Sequence, residues 1–161
     1  MKRLRFILPL LLILRLHAAD FTMAAEGFGA AARGGEGGRV IRVTNLADDG
    51  AGSLREALAQ SGARIIQFAV EGEVELKSRL RIREGSVTLD ASTAPGAGIT
   101  LKRHGLDVVN AEDVIVRGLR IHVSEGGTSG DGILLWGKQG GVTRRVLVEH
   151  CSIHGATDEG V

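Results

Sequence analysis

A short apolar phrase recurs along the chain. It reads VTLDASTA from Val87, VIVRGLRI from Val114 and VLVEHCSI from Val146. A strand that returns at a spacing of about 20–50 residues predicts a solenoid. Set one above another, Val87, Val114 and Val146 form one column, and Leu89, Val116 and Val148 form a second. Both follow the period of two that points alternate strand residues to one face. Ala91, Gly118 and His150 continue the phase, after which the apolar positions move by one, to Leu119 and Ile121 and to Cys151 and Ile153. A shift of one residue turns every later side chain to the other face. The backbone therefore has to bend near 118 and 150, as the corner of a coil does.

Further strand-like runs cover 40–44, 65–70, 73–76, 80–82, 87–90, 99–101, 106–109 and 133–136, separated by Gly, Ser or Asn-Ala breaks. Several follow one another closely, which suits the two or three faces of one coil. One segment breaks the pattern. Ser53 followed by Glu56 makes a capping box, and Leu54, Ala57 and Leu58 recur at helical spacing before Gly62. A solenoid exposes an apolar cross-section at each end, so 53–61 is expected to be a lid. The pattern predicts an all-β parallel solenoid with a short N-terminal capping helix. The glycine-rich stretch 26–38, EGFGAAARGGEGG, is either a linker or a set of tight turns lying on the first coil.

Composition supports coils over helices. Gly accounts for 24 of 161 residues, there is no Tyr and there are four Phe, so the core is aliphatic and the bends are glycine-rich. The N-terminus differs from the rest: KRLR at 2–5 precedes the apolar run FILPLLLIL at 6–14. This run is too short to span a bilayer, which takes about 20 residues, but it suits the apolar region of a secretory signal. The expected signal peptide is 1–24, with cleavage after Ala19 or Ala24. The net charge of +1 then becomes negative, which argues against nucleic acid as a partner and leaves no membrane segment in the mature chain. The expected protein is a secreted monomer. Cys151 is the single cysteine, so no disulfide closes within the chain, and it is read as a small buried apolar side chain.

Asp131 opens one strand, and Asp158 with Glu159 opens what would be the next, one coil further along. Rungs of a parallel coil lie about 4.8 Å apart, so these acids can meet and begin the oxygen shell that Ca²⁺ requires. Turn-forming acids in Gly-rich corners would read the same way. Arg outnumbers Lys 16 to 4. Arg117, Arg120, Arg144 and Arg145 lie on or beside the recurring phrases, where they are either grips for an acidic polymer or solvated outward positions. His150 is expected in the core or at a corner, and Trp136 either stacks on a sugar ring or packs at a strand end.

The stretch AEGFGAAARGGEGGRVIRVTNLADDGAGSLREAL, the IIQFAVEGEVEL after it and VLVEHCSIHGATDEGV together resemble secreted bacterial pectate lyases of polysaccharide lyase family one. The resemblance covers nearly everything after the signal. It implies a right-handed single-stranded parallel β-helix and Ca²⁺-dependent β-elimination on polygalacturonate. Asp131 and Asp158 match metal-binding acids, Glu159 is a further candidate ligand, and Arg117, Arg120 and Arg145 become candidate substrate contacts. Glu149 and Leu147 stand where the family usually has Asp and Trp, and Ser129 where some members have an acid. On this resemblance, residues 25–161 form the N-terminal part of the lyase domain, truncated at the C-terminus, with the family's catalytic arginine beyond Val161. A non-catalytic β-helix adhesin or carbohydrate-binding protein is the alternative. The purified chain, Met1 to Val161, is accordingly expected to lack lyase activity. Release of ultraviolet-absorbing unsaturated product from polygalacturonate would contradict that.

Overall fold

The structure is a computed structural model that describes residues 27–123 and 130–161. The expected signal segment 1–24 and Ser129 lie outside the described residues. Twelve strands and one α-helix are found there, and every strand pairing is parallel. The strands are β1 (Arg39–Val43), β2 (Arg64–Phe68), β3 (Gly72–Glu75), β4 (Leu80–Ile82), β5 (Val87–Asp90), β6 (Ile99–Arg103), β7 (Leu106–Val109), β8 (Glu112–Arg117), β9 (Arg120–Val123), β10 (Ile133–Trp136), β11 (Arg144–Glu149) and β12 (Ser152–His154). They form three sheets. The first is ordered β1-β2-β5-β8-β11, the second β3-β6-β9-β12 and the third β4-β7-β10. Successive strands step from sheet to sheet, and each returns to its own sheet one coil later. This is the parallel β-helix that the recurring phrase predicts.

The columns read from sequence are the interior. Val87 pairs with Val114 and Val114 with Val146, while Leu89, Val116 and Val148 pair likewise. Val87, Leu89, Val114 and Val116 are fully buried. The expected bend separates β8 from β9 and β11 from β12. Gly118 has φ +69° and His150 φ +53°, both left-handed. The pairing of Arg117 with Glu149 places these two residues one above the other, so the corner recurs at the same register. Glycine adopts this conformation freely, whereas His150 does so as an exposed residue. Of the two places expected for His150, the structure gives the corner.

Helix α1 (Leu54–Ala59) closes one end. Leu54, Ala57 and Leu58 are buried, and the Glu56 N–H donates to Ser53 Oγ at 3.2 Å. The Glu56 carboxylate accepts from the Gly52 N–H at 2.7 Å, one residue earlier than in the usual capping box. The helix is shorter than the 53–61 expected. Arg64, fully buried, holds it down. Its guanidinium donates to the Leu58 and Gly62 carbonyls on one side and to the Glu84 and Gly85 carbonyls of the next coil on the other. Among the described residues, no helix is long and apolar enough to cross a membrane.

The glycine-rich segment proves to be turns, and they reach further than the first coil. The Gly35 N–H donates to Thr88 Oγ1 at 3.0 Å and the Arg33 N–H to Asp113 Oδ1 at 3.3 Å, so the segment crosses the first sheet over β5 and β8. A Cβ on Gly35 would lie 1.8 Å from the Arg64 carbonyl oxygen, so no other residue fits there without moving backbone. Gly35→Ala is expected to cost about 1–3 kcal/mol, the range for overpacking a filled site. It should also open the bonds after Arg33 and Arg39 to trypsin. A variant with the wild-type melting temperature and wild-type proteolysis pattern would contradict this account.

Candidate functional site

The third sheet does not stop at β10. The Gly132 N–H donates to the Glu159 carbonyl at 3.1 Å, that of Ile133 to Gly160 at 2.9 Å and that of Thr157 to Gly130 at 2.9 Å. Backbone 157–160 therefore lies against 130–133 as the next rung, and Asp131 sits beside Asp158 and Glu159. The flanking glycines allow the approach. A Cβ on Gly130 would fall 2.4 Å from Thr157 Oγ1 and 2.8 Å from the Asp158 nitrogen, and one on Gly132 would fall 2.4 Å from Ile153 Cγ2. The sequence Gly-Asp-Gly thus places one acid where only backbone fits on either side of it.

One carboxylate oxygen from each of Asp131, Asp158 and Glu159 lies within 4.8 Å of the others. Asp131 is half-buried, and the other two are exposed. Opposed ligands on a Ca²⁺ ion with bonds of about 2.3–2.6 Å sit about 5 Å apart, so this separation and these hard oxygen donors fit such an ion. Three carboxylates this close repel one another at neutral pH, and a divalent cation relieves the repulsion.

The half-buried acid is braced from below. The Arg79 guanidinium donates through Nη1 to the Asp131 carbonyl at 2.7 Å and through Nε to Asp107 Oδ1 at 2.5 Å. Asp107 Oδ2 accepts from Arg81 Nε at 3.2 Å. The Arg79 and Asp107 side chains are only 9% and 4% exposed, so this is a buried ion pair bonded directly to the backbone of the acid cluster. His104 lies one rung below Asp131 in the register that pairs Leu106 with Ile133. Burial, followed by the nearby charges of Arg103, Arg79 and Arg55, lowers its pKa, which favours a neutral ring under the acids.

The arginines singled out from sequence lie on other sheets, each with partners of its own. Arg117 pairs with Glu149 at 2.7 Å and reaches Asp90 at 4.0 Å. Arg120 donates to Thr100 Oγ1 at 3.0 Å and to the Ala97 carbonyl. Arg145 bonds Asp113 and Glu112, each at 2.8 Å; its bond holds Asp113 below the usual carboxylate range, and the bonds from Arg144 first and Arg145 second hold Glu112 below it. Arg144 also bonds Glu112, at 2.9 Å. The structure gathers the three acids and does not bring these arginines to them. Cys151 is partly buried, and burial pushes its thiol pKa up, the reverse of an activated nucleophile. Arg79, Arg81 and Arg83, which do share the third sheet with the acids, lie outside the recurring phrases. Their signal in the sequence is the alternation in Ser-Arg-Leu-Arg-Ile-Arg at 78–83, where Leu80 and Ile82 point inward.

Arg79→Ala leaves the buried Asp107 carboxylate with only the exposed Arg81 as an ionic partner and removes a donor from the Asp131 carbonyl. The expected loss is about 3 kcal/mol, as for breaking a buried ion pair. The double variant Arg79→Met with Asp107→Leu should recover most of it, because no buried charge then remains. Denaturant melts of the two variants check this. A single variant as stable as wild type, or a double variant worse than the single, would contradict it.

No protein-family model matches the chain. The chain is 42% identical over 161 residues to "Probable pectate lyase C" of Emericella nidulans, covering 99% of this chain and 37% of that protein. It is 44% identical over 137 residues to "Probable pectate lyase C" of Aspergillus fumigatus, covering 84% and 31%. It is 32% identical to "Probable pectate lyase 4" of Arabidopsis thaliana, covering 79% and 34%. These relatives are fungal and plant proteins, whereas the sequence motifs suggest bacterial ones. The chain spans about a third of the length of the curated relatives it matches. Among solved structures it resembles jun a 1, the major allergen from cedar pollen, with a TM-score of 0.55 and 28% identity over 69% of this chain and 38% of that one. By sequence along nearly its whole length the chain is similar to proteins named pectate lyases, and by its three-sheet coil it resembles the cedar-pollen allergen.

Proposed function

We propose that this chain supplies calcium-binding acids to a secreted pectate lyase, an enzyme that cleaves polygalacturonate by β-elimination. The observation that carries the proposal is the meeting of Asp131, Asp158 and Glu159 across two consecutive rungs, within 4.8 Å of one another, in a chain related to pectate lyases over nearly all its length. Asp131 is the fixed member, held by Arg79 through its carbonyl and approached by the Glu159 N–H at 3.5 Å. Asp158 and Glu159 are exposed and leave the open side of the cluster to solvent and to a polymer. Asp131, Asp158 and Glu159 would hold a calcium ion whose positive charge, beside the uronate carboxylate of the substrate, would make the proton on the adjacent C5 more acidic. In the elimination that proton leaves to a base, the C4–oxygen bond breaks, and a C4=C5 double bond forms in the new end sugar. The contribution of these residues is to hold the sugar carboxylate in place and to stabilise the charge that develops beside it.

Titration calorimetry of the chain with CaCl₂ tests the metal site. Weak binding is expected, with a Kd of about 10⁻⁴–10⁻³ M, the range of open extracellular sites. Asp131→Asn should weaken it at least about tenfold, since one of few charged ligands is lost. Tight 1:1 binding, or an affinity unchanged in a variant carrying both Asp131→Asn and Asp158→Asn, would refute the site.

A further inference from the structure

The third sheet has a second concentration of charge, of the opposite sign to the acid cluster. In β4, Leu80 and Ile82 are fully buried, so Arg79, Arg81 and Arg83 alternate onto the outer face. Register carries this face across the coils. Arg81 lies opposite Asp107, and Asp107 opposite Leu134. One step on, Arg83 continues the column of Val109 and Trp136. Arg83, Trp136, Lys138 and Asn110 line a cavity of about 340 Å³. Arg81 and Arg83 also form a wall of a neighbouring cavity of about 400 Å³ that reaches Arg55 under α1.

The charges here do not cancel. Asp48 balances Arg55, and Asp107 serves both Arg79 and Arg81. Arg83 is exposed and has no ion pair among the described residues. Lys138 stands with its ammonium 5.6 Å from the centroid of the Trp136 ring. The loop that carries Lys138 is clamped to the coil: its N–H donates to Asn110 Oδ1 at 2.7 Å, and Asn110 Nδ2 donates to its carbonyl at 3.2 Å. Trp136 remains 41% exposed. The result is a half-exposed indole with Lys138 over its ring and Arg83 two rungs away in the same column and lining the same cavity, at the end of the strand that Asp131 opens.

We infer that Arg83, Trp136 and Lys138 form a binding strip for the carboxylated sugars of an acidic polysaccharide, separate from the acid cluster and independent of calcium. The inference rests on the calcium-lyase proposal for its substrate class. A uronate ring presents what the strip recognises. One carboxylate takes the planar fork of Arg83, the C–H face of another ring lies against the indole, and a further carboxylate along the polymer meets Lys138. Rungs lie about 4.8 Å apart, so Arg83 and Trp136, two rungs apart in one column, are separated by about the length of two sugars. Trp136 lies five residues beyond Asp131, about 16 Å along the same rung, so a polymer following the strip across the rungs runs beside the acid cluster and not over it. The acid cluster repels polygalacturonate until a cation is bound, whereas the strip attracts it without one.

The test is the affinity of the protein for hexagalacturonate, measured with excess EDTA and again with calcium, with cellohexaose as the uncharged comparison. Wild-type protein is expected to bind hexagalacturonate in EDTA and not cellohexaose. Arg83→Ala and Lys138→Ala should each weaken that binding about tenfold, as loss of a charge-assisted hydrogen bond does. Trp136→Ala should weaken it too, and Arg83→Lys should restore part of the loss. Melting temperatures close to that of wild type show that the exposed substitutions leave the coil intact. If wild type binds in calcium but the variants match it in both conditions, the strip is overturned and the calcium site stands. If wild type binds hexagalacturonate in neither condition, both proposals fall.

Discussion

The structure depends on constant register. Each coil returns to the same sheet with its side chains in the same phase, and corners of the same geometry recur at the same position in successive turns. Gly118 and His150 show this at one corner. Ser86, Asp113 and Arg145, at φ +52°, +56° and +52°, show it at the entry to β5, β8 and β11. A non-glycine residue in this region costs of order 1 kcal/mol or more, and the coil accepts that cost at Ser86, Asp113, Arg145 and His150 while keeping the aliphatic columns aligned. A slip of one residue at any corner would turn Val114 and Val116 outward and would move Asp131 off its neighbours.

Register also explains how a chain with so many charges stays ordered. The outer faces of the coils carry acids and bases from segments a full coil apart in sequence, and winding makes them adjacent. Arg145 meets Asp113, Arg117 meets Glu149, and Arg81 meets Asp107. Exposed pairs of this kind contribute little individually. The Arg79–Asp107 pair differs because it is buried and bonds the backbone of Asp131. It ties the core of the third sheet to the acid cluster.

The coil was legible in the sequence because its interior is made of Val, Ile and Leu at a period of two, and because the phase slip at Gly118 and His150 marks a bend. The neighbouring acids were legible for the same reason: a known coil length converts the sequence separation of Asp131 and Asp158 into adjacency. Other parts were not. Arg64 shares the inward phase of Ile66 and Phe68, where a charged residue reads as an exception until the carbonyls of Leu58, Gly62, Glu84 and Gly85 are brought to it; Arg79 sits where a period-two pattern reads as solvent, and its burial follows from Asp107 one coil on. Arg117, Arg120 and Arg145 looked available to a polymer because Glu149, Thr100 and Asp113 are distant in sequence. The glycine-rich segment left two options, and the choice between them turned on Thr88 and Asp113, whose outward position only the wound coil reveals.

The most direct test of the account is a crystal structure of the protein grown with calcium chloride. The account predicts one calcium ion with oxygen ligands from Asp131, Asp158 and Glu159 at about 2.3–2.6 Å, seated where backbone 157–160 lies along 130–133. Calcium bound elsewhere while these three carboxylates stand apart, or a chain in which the two segments are not neighbouring rungs, would contradict it.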